Sequence, residues 1–138
     1  ATGNVYLSCY KNSSGDLVYL YAPQVALGSD YAFNAPVIVD SIGSVGVWSE
    51  IDVRAGVPSI SYIDSSNAGT FYGLKYAFVD ATNANAWEYG TVPSAQSISV
   101  ARTGMNIRPT GATSNYSLAV SYLAGSCYSA YLRPEQAP

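Results

Sequence analysis

Glu50 and Asp52 stand two positions apart in the run Glu50-Ile51-Asp52-Val53-Arg54. Alternation along a strand puts both carboxylates and Arg54 on one face, with Ile51 and Val53 on the other. Carboxyl groups roughly 5–9 Å apart hydrolyse glycosides, one as acid and the other as nucleophile or base. The same spacing also makes a solvated strand face on which Arg54 pairs with its acidic neighbours. The chain has no histidine. That excludes Ser-His-Asp and Cys-His catalysis, His-based metal sites and a simple switch near neutral pH. Asp64-x-Ser66-x-Ala68-Gly69 carries the rhythm of a calcium loop, yet one carboxylate with no bidentate Glu is too few ligands for a hard cation. No catalytic residue, metal site or cofactor is therefore assigned, and a non-catalytic protein is expected.

The elements that position these residues read as strands. The chain has 138 residues, 49% apolar and 11% charged, and a net charge of -3. Disorder and a coiled coil both need more charge, and no apolar run reaches the ~18 residues of a membrane-spanning helix. Six basic residues scattered along the chain make no stripe for nucleic acid. No partner of that kind, and no membrane insertion, is expected. Tyr, Val, Ile, Thr and Ser dominate, and turn clusters such as Asn12-Ser13-Ser14-Gly15 interrupt short apolar runs. About ten antiparallel strands follow, near residues 5–11, 16–22, 34–40, 46–54, 58–64, 72–79, 86–92, 100–108, 117–123 and 128–133.

Cys9 and Cys127 lie 118 positions apart. They read either as two buried thiols or as one bridge tying the first strand to the last, worth ~4–5 kcal/mol in the entropy model. A low-charge surface rich in Tyr, Ser and Asn fits an extracellular or cell-surface setting, where disulfides persist. The sequons Asn12-Ser13-Ser14 and Asn115-Tyr116-Ser117 matter only in a secreting eukaryotic host. The chain begins at Ala1 with no signal-type segment, which reads as a processed form or a fragment.

Internal repetition organises the chain. Ile51-Asp52-Val53-Arg54, Ser59-Ile60-Ser61-Tyr62-Ile63-Asp64 and Gly73-Leu74-Lys75-Tyr76-Ala77-Phe78 are echoed later by Met105-Asn106-Ile107-Arg108, Ala119-Val120-Ser121-Tyr122-Leu123 and Ser129-Ala130-Tyr131-Leu132. Tyr6-Leu7-Ser8-Cys9-Tyr10 and Asp16-Leu17-Val18-Tyr19-Leu20 are earlier echoes. The period is about 53–57 residues, and repeated four-stranded units of about that length are what propeller blades look like. The boundaries expected are a partial blade over 1–43, a complete blade over 44–98 and a partial blade over 99–138.

Gly56-Val57-Pro58-Ser59-Ile60-Ser61-Tyr62-Ile63-Asp64 followed by Gly73-Leu74-Lys75-Tyr76-Ala77 resembles a repeat of secreted and surface bacterial β-propellers of sialidase-like type. There Pro-x-Ile-Ser-Tyr-x-Asp precedes Leu-Lys-Tyr-Ala. Cys9 stands where that family usually has Tyr, and the last repeat lacks the Leu-Lys pair before Tyr131. Ser65 to Phe71 faintly resembles the family's Asp-box turn, with Asn67 in place of the Asp. The resemblance implies an all-β fold of roughly 2.5–3 blades. They would complete a ring by homo-oligomerisation or as part of a larger propeller, since bare blade faces and strand edges invite association. A monomeric β-sandwich is the alternative fold.

Three functions follow as expectations. The first is a non-catalytic extracellular module for binding or assembly, with self-assembly into a filament as one form. The second is a carbohydrate-binding, lectin-like protein with sites between blades. Trp48, Trp87 and Tyr89 would stack on sugar rings, and Arg54 and Arg108, equivalent in successive repeats, would donate hydrogen bonds. The third is a sialidase-type hydrolase, which would need those arginines to converge on a substrate carboxylate.

Overall fold

The computed structural model describes residues 2–26, 30–54, 56–67, 71–79, 86–91, 103–109, 116–124 and 126–132, with side chains for 3–24, 30–53, 56–66, 73–79 and 86–91. Ten strands occupy them: β1 (Thr2–Lys11), β2 (Asp16–Ala26), β3 (Val37–Asp40), β4 (Val45–Arg54), β5 (Val57–Asn67), β6 (Phe71–Val79), β7 (Trp87–Thr91), β8 (Thr103–Pro109), β9 (Tyr116–Ala124) and β10 (Ser126–Leu132). The described residues include no helix. All strand pairs are antiparallel. They form three sheets: sheet 1 in the order β1-β2-β3, sheet 2 in the order β4-β5-β6-β7, and sheet 3 in the order β10-β9-β8.

Local chemistry sets the strand ends. Ser14 and Gly15 both donate backbone N–H bonds to Lys11 O, and Gly15 takes φ 78°, closing the β1–β2 turn. Strand β3 starts at Val37, three residues later than the sequence pattern suggests. Pro36 has no N–H to give the ladder, and it restricts Ala35 before it.

Sheets 1 and 2 enclose the described core. Leu17 and Val39 of sheet 1 pack against Val45, Ile60, Tyr62 and Ala77 of sheet 2, with Tyr19, Ile51 and Trp87 half-buried at the margin. Burying each large apolar side chain of this kind contributes about 1.5–3 kcal/mol. Strand β4 lies across β1 and β2, and β8 lies across β4 and β5. Sheet 2 is therefore the middle layer. Its strand β5 is buried at every position from Pro58 to Ile63, so both of its faces are covered.

The approach of the first two sheets is close at one point. A Cβ on Gly46 would stand 2.8 Å from the Leu17 Cα, and Gly46 has φ +104°. Only glycine meets both demands without strain. Three positions on, β4 bulges between Val47 and Glu50. Trp48 in that bulge has φ 54°, a region costly for a bulky residue.

Candidate functional site

The most concentrated polar chemistry lies between sheets 1 and 2. Asp40 ends β3, and its side chain is fully buried. Its Oδ1 accepts the backbone N–H of Ile42 at 3.0 Å. Its Oδ2 accepts the Tyr62 hydroxyl at 2.8 Å and the Lys75 ammonium. Tyr62 and Lys75 are direct partners across β5 and β6. Antiparallel pairing sets such partners side by side on one face, so two donors from sheet 2 meet a single carboxylate from sheet 1. The Lys75 Nζ is also 4.0 Å from Asp64 Oδ2. It lies 5.7 Å from the ring centre of Tyr62 and 5.1 Å from that of Tyr89, within cation–π range.

The surroundings fix the protonation states. Burial works to raise the Asp40 pKa, but the bonds from Lys75, Ile42 N–H and Tyr62 and the Lys75 charge outweigh it. The carboxyl ends below its ordinary value. Burial, then the bond to Asp40 and its charge, pushes Tyr62 far up. Tyr19 is pushed up to about 12 by burial and by Tyr6 and Tyr21. Near neutral pH Asp40 is thus a carboxylate and Tyr62 a neutral phenol. The cluster's bonds tie β3 to β5 and β6.

A second polar network closes the same end of the sheets. Ser65 N donates to Ser44 O at 2.8 Å, and Ser44 N donates to Ser66 Oγ at 2.9 Å. Tyr10 and Ser44 share a hydroxyl–hydroxyl bond at 3.0 Å, and Val45 N donates to Gly15 O at 2.8 Å. Asp64 Oδ1 accepts the N–H of Ser66 at 3.0 Å and its hydroxyl. The Asp64-x-Ser66 rhythm thus closes on itself and on the β3–β4 loop. Among the described residues no cluster of three or more His, Cys, Asp or Glu could hold a metal.

The residues singled out from the sequence are dispersed. Trp48 is on β4, and Trp87 and Tyr89 are on β7, the two outer strands of sheet 2. Three strand spacings of ~4.8 Å separate those strands. Trp48 is 57% exposed and Tyr89 43% exposed. Trp87 is half-buried, edge-on to Tyr19 with ring centres 5.1 Å apart. Glu50 and Asp52 share a face of sheet 2, opposite Ser61 and Ser59. Asp52 Oδ1 accepts the N–H of Val53 at 2.8 Å. Arg54 ends β4 and Arg108 lies in β8, on strands packed against each other. Their side chains lie outside the described residues, as does that of Cys127. Cys9 is a free, half-buried thiol on β1. Cys127 is on β10, in the sheet on the far side of sheet 2.

Sequence reasoning passed over Asp40 and did not give Lys75 a chemical role. One signal was present. Lys75 is the lone charge in the strand Phe71–Val79, and its repeat equivalents, Val18 and Ala130, are uncharged.

The arrangement defines stacked antiparallel sheets, the first two joined by buried polar bonds. Comparison of the chain with protein-family models, with curated proteins and with solved structures gives no match.

Proposed function

We propose that this chain is a non-catalytic module of an extracellular or cell-surface β-propeller, used for binding or assembly. The observation that carries the reading is the middle sheet, whose strand β5 is buried on both faces. A two-layer sandwich leaves each sheet one solvated face, whereas blades of a propeller cover one another on both. The three, four and three strands of sheets 1, 2 and 3 support blades over 1–43, 44–98 and 99–138. So does the sequence repeat. The buried Asp40–Tyr62–Lys75 bonds then serve to join neighbouring blades. Partners on this reading are further copies of the chain or further blades.

Light scattering behind size exclusion tests the assembly reading. A discrete oligomer is the expected result. A mass of 14.5 kDa at every concentration would count against self-assembly.

A second reading is glycan binding, favoured by the exposed rings of Trp48 and Tyr89. Aromatic faces flanked by hydrogen-bonding groups suit pyranose rings. Screening on a glycan array, with Trp48→Ala and Tyr89→Ala as controls, checks it. Signal that both variants retain would discard these two residues as the sugar platform.

A further inference from the structure

Sheets 1 and 2 share one register. Ser8 pairs with Tyr19 as Ser61 pairs with Tyr76, and Cys9 pairs with Val18 as Tyr62 pairs with Lys75. These are equivalent positions of the repeat, so β1 and β2 correspond to β5 and β6. Sheet 2 carries one strand more, β4, along the other edge of β5. Sheet 3 carries the same addition, with β8 along β9. Ile51 pairs with Ile60 and Arg54 with Val57; Met105 pairs with Val120 and Arg108 with Ser117. Those pairs are equivalent too. Two of the three sheets thus hold the same antiparallel strand in the same register. In sheet 1 the corresponding place is at the edge of β1, which is the outer strand.

Burial reflects the difference. Strand β5 is buried at every position from Pro58 to Ile63, whereas none of the equivalent residues Val5 to Tyr10 is buried. Leu7 is the extreme, at 44% exposed. Its equivalents Ile60 and Val120 face Ile51 and Met105 across their strand pairs. The described backbone bonds of β1 are its ladder with β2 and the turn bonds at Lys11. An outer strand offers a row of N–H and C=O groups to any extended segment, and proline or charge is the usual guard. The outer strands of the first two sheets otherwise have such guards: Pro36 just before β3, Glu50 and Asp52 in β4, and Glu88 in β7. Val5 to Tyr10 holds neither proline nor charge.

Building on the module reading above, we infer that β1 accepts an antiparallel segment of the β4 type by strand addition. The segment has the pattern of Ile51-Asp52-Val53-Arg54. By equivalence its first apolar residue faces Leu7, its second faces Val5 and its arginine faces Asn4. Main-chain bonds supply the affinity, and the alternating side chains set the register. The β4 and β8 strands of a second copy are already paired within their own sheets. The donor is therefore a further segment of this repeat type.

Residue-resolved amide hydrogen exchange by NMR tests this. The probe is a synthetic peptide copying residues 49–56, and a shuffled peptide of the same composition is the control. In the free protein, the amides of Val5 to Cys9 that point away from β2 should exchange fast, while those of Ser59 to Ile63 stay protected. Peptide at ten times its Kd should slow those β1 amides by about tenfold, and the shuffled peptide should not. Leu7→Lys places a charge at an exposed position and should abolish the slowing, with far-UV circular dichroism unchanged. Leu7→Thr is the substitute if that variant unfolds. The inference falls if these β1 amides are already protected in the free protein. It falls if they do not slow up to the solubility limit of the peptide, if the slowing appears at β3 or β7 instead, or if the folded Leu7 variant keeps it in full. Light scattering reads self-assembly separately. A monomer whose β1 responds supports strand addition while self-assembly falls, and an oligomer whose β1 ignores the peptide overturns strand addition and leaves assembly standing.

Discussion

One position of the repeat has opposite fates in sheets 1 and 2: Ile60 is buried, and its equivalent Leu7 is not. In sheet 2, Ile60, Tyr62, Lys75 and Ala77 are buried. In sheet 1, Val18, the equivalent of Lys75, is buried too, Cys9 and Leu20 are half-buried, and Leu7, the equivalent of Ile60, is 44% exposed. Backbone pairing is alike in both, with β5 on β6 and β1 on β2. The difference lies in the neighbour and in two side chains. Where sheet 1 supplies Asp40, sheet 2 supplies a phenol and an ammonium to meet it. At the equivalent face of sheet 1 the polar pair is replaced by thiol and isopropyl groups. The repeat sets the strands, and the individual interface sets which polar groups it carries.

Breaking the buried pair should have the largest effect. Lys75→Met leaves Asp40 charged and fully buried, which costs about 3–5 kcal/mol. Urea denaturation reads this as a lower midpoint with unchanged slope. Adding Asp40→Asn should recover most of the loss, because the amide oxygen still accepts the Tyr62 hydroxyl and no charge is stranded. A double variant as unstable as the single one would mean that the charge pair is not what the interface needs.

Truncation at equivalent positions sharpens the contrast. Ile60→Ala removes a side chain with no exposure and should cost about 2–5 kcal/mol. Leu7→Ala, measured on dilute monomer, should cost under about 1 kcal/mol, in line with a half-exposed site. Equal losses would show that Leu7 is packed as closely as Ile60.

Gly46→Ala is expected to lie below Ile60→Ala, at about 1–2 kcal/mol for the left-handed backbone. The push of a Cβ against the Leu17 backbone adds to that. Thermal melting checks it, and a neutral result would mean that the two sheets can separate there without loss.

Much of this was legible in the residues. Alternation and turn clusters give the antiparallel all-β character, while strand ends move: β1 starts at Thr2, β2 runs on to Ala26 and β5 to Asn67, and β3 and β8 start later than the pattern suggests. Tyr62, part of the repeated Ser59–Asp64 segment, is in the core. The Asp40–Lys75 pair was not legible, because its members are 35 positions apart and on different sheets. Strand periodicity reports which face a residue takes, not which sheet lies against that face. Trp48 was legible as an aromatic near the start of its strand. Its bulge was not, since nothing in Val47-Trp48-Ser49 is a glycine or a turn residue demanding positive φ. Its separation from Trp87 and Tyr89 follows from strand order, which a linear reading leaves open.

The smallest expected effect isolates Asp40 by pH. Its folded pKa lies below the ordinary value of 3.8, so the native state binds this proton more weakly than the unfolded chain. The stabilisation is fully present above about pH 4 and is lost as the pH falls through the lowered folded value. Protonated Asp40 resembles the amide of Asp40→Asn, which never carries the charge. The gap in melting temperature between wild type and Asp40→Asn should therefore stay constant from pH 7 to about 4 and narrow below it. Melting followed by circular dichroism at half-unit pH steps measures the gap. A gap that closes well above pH 4 would mean that Asp40 is not held ionised by Lys75 and Tyr62. A gap that persists unchanged to pH 2 would mean that Asp40→Asn destabilises through packing and not through lost charge.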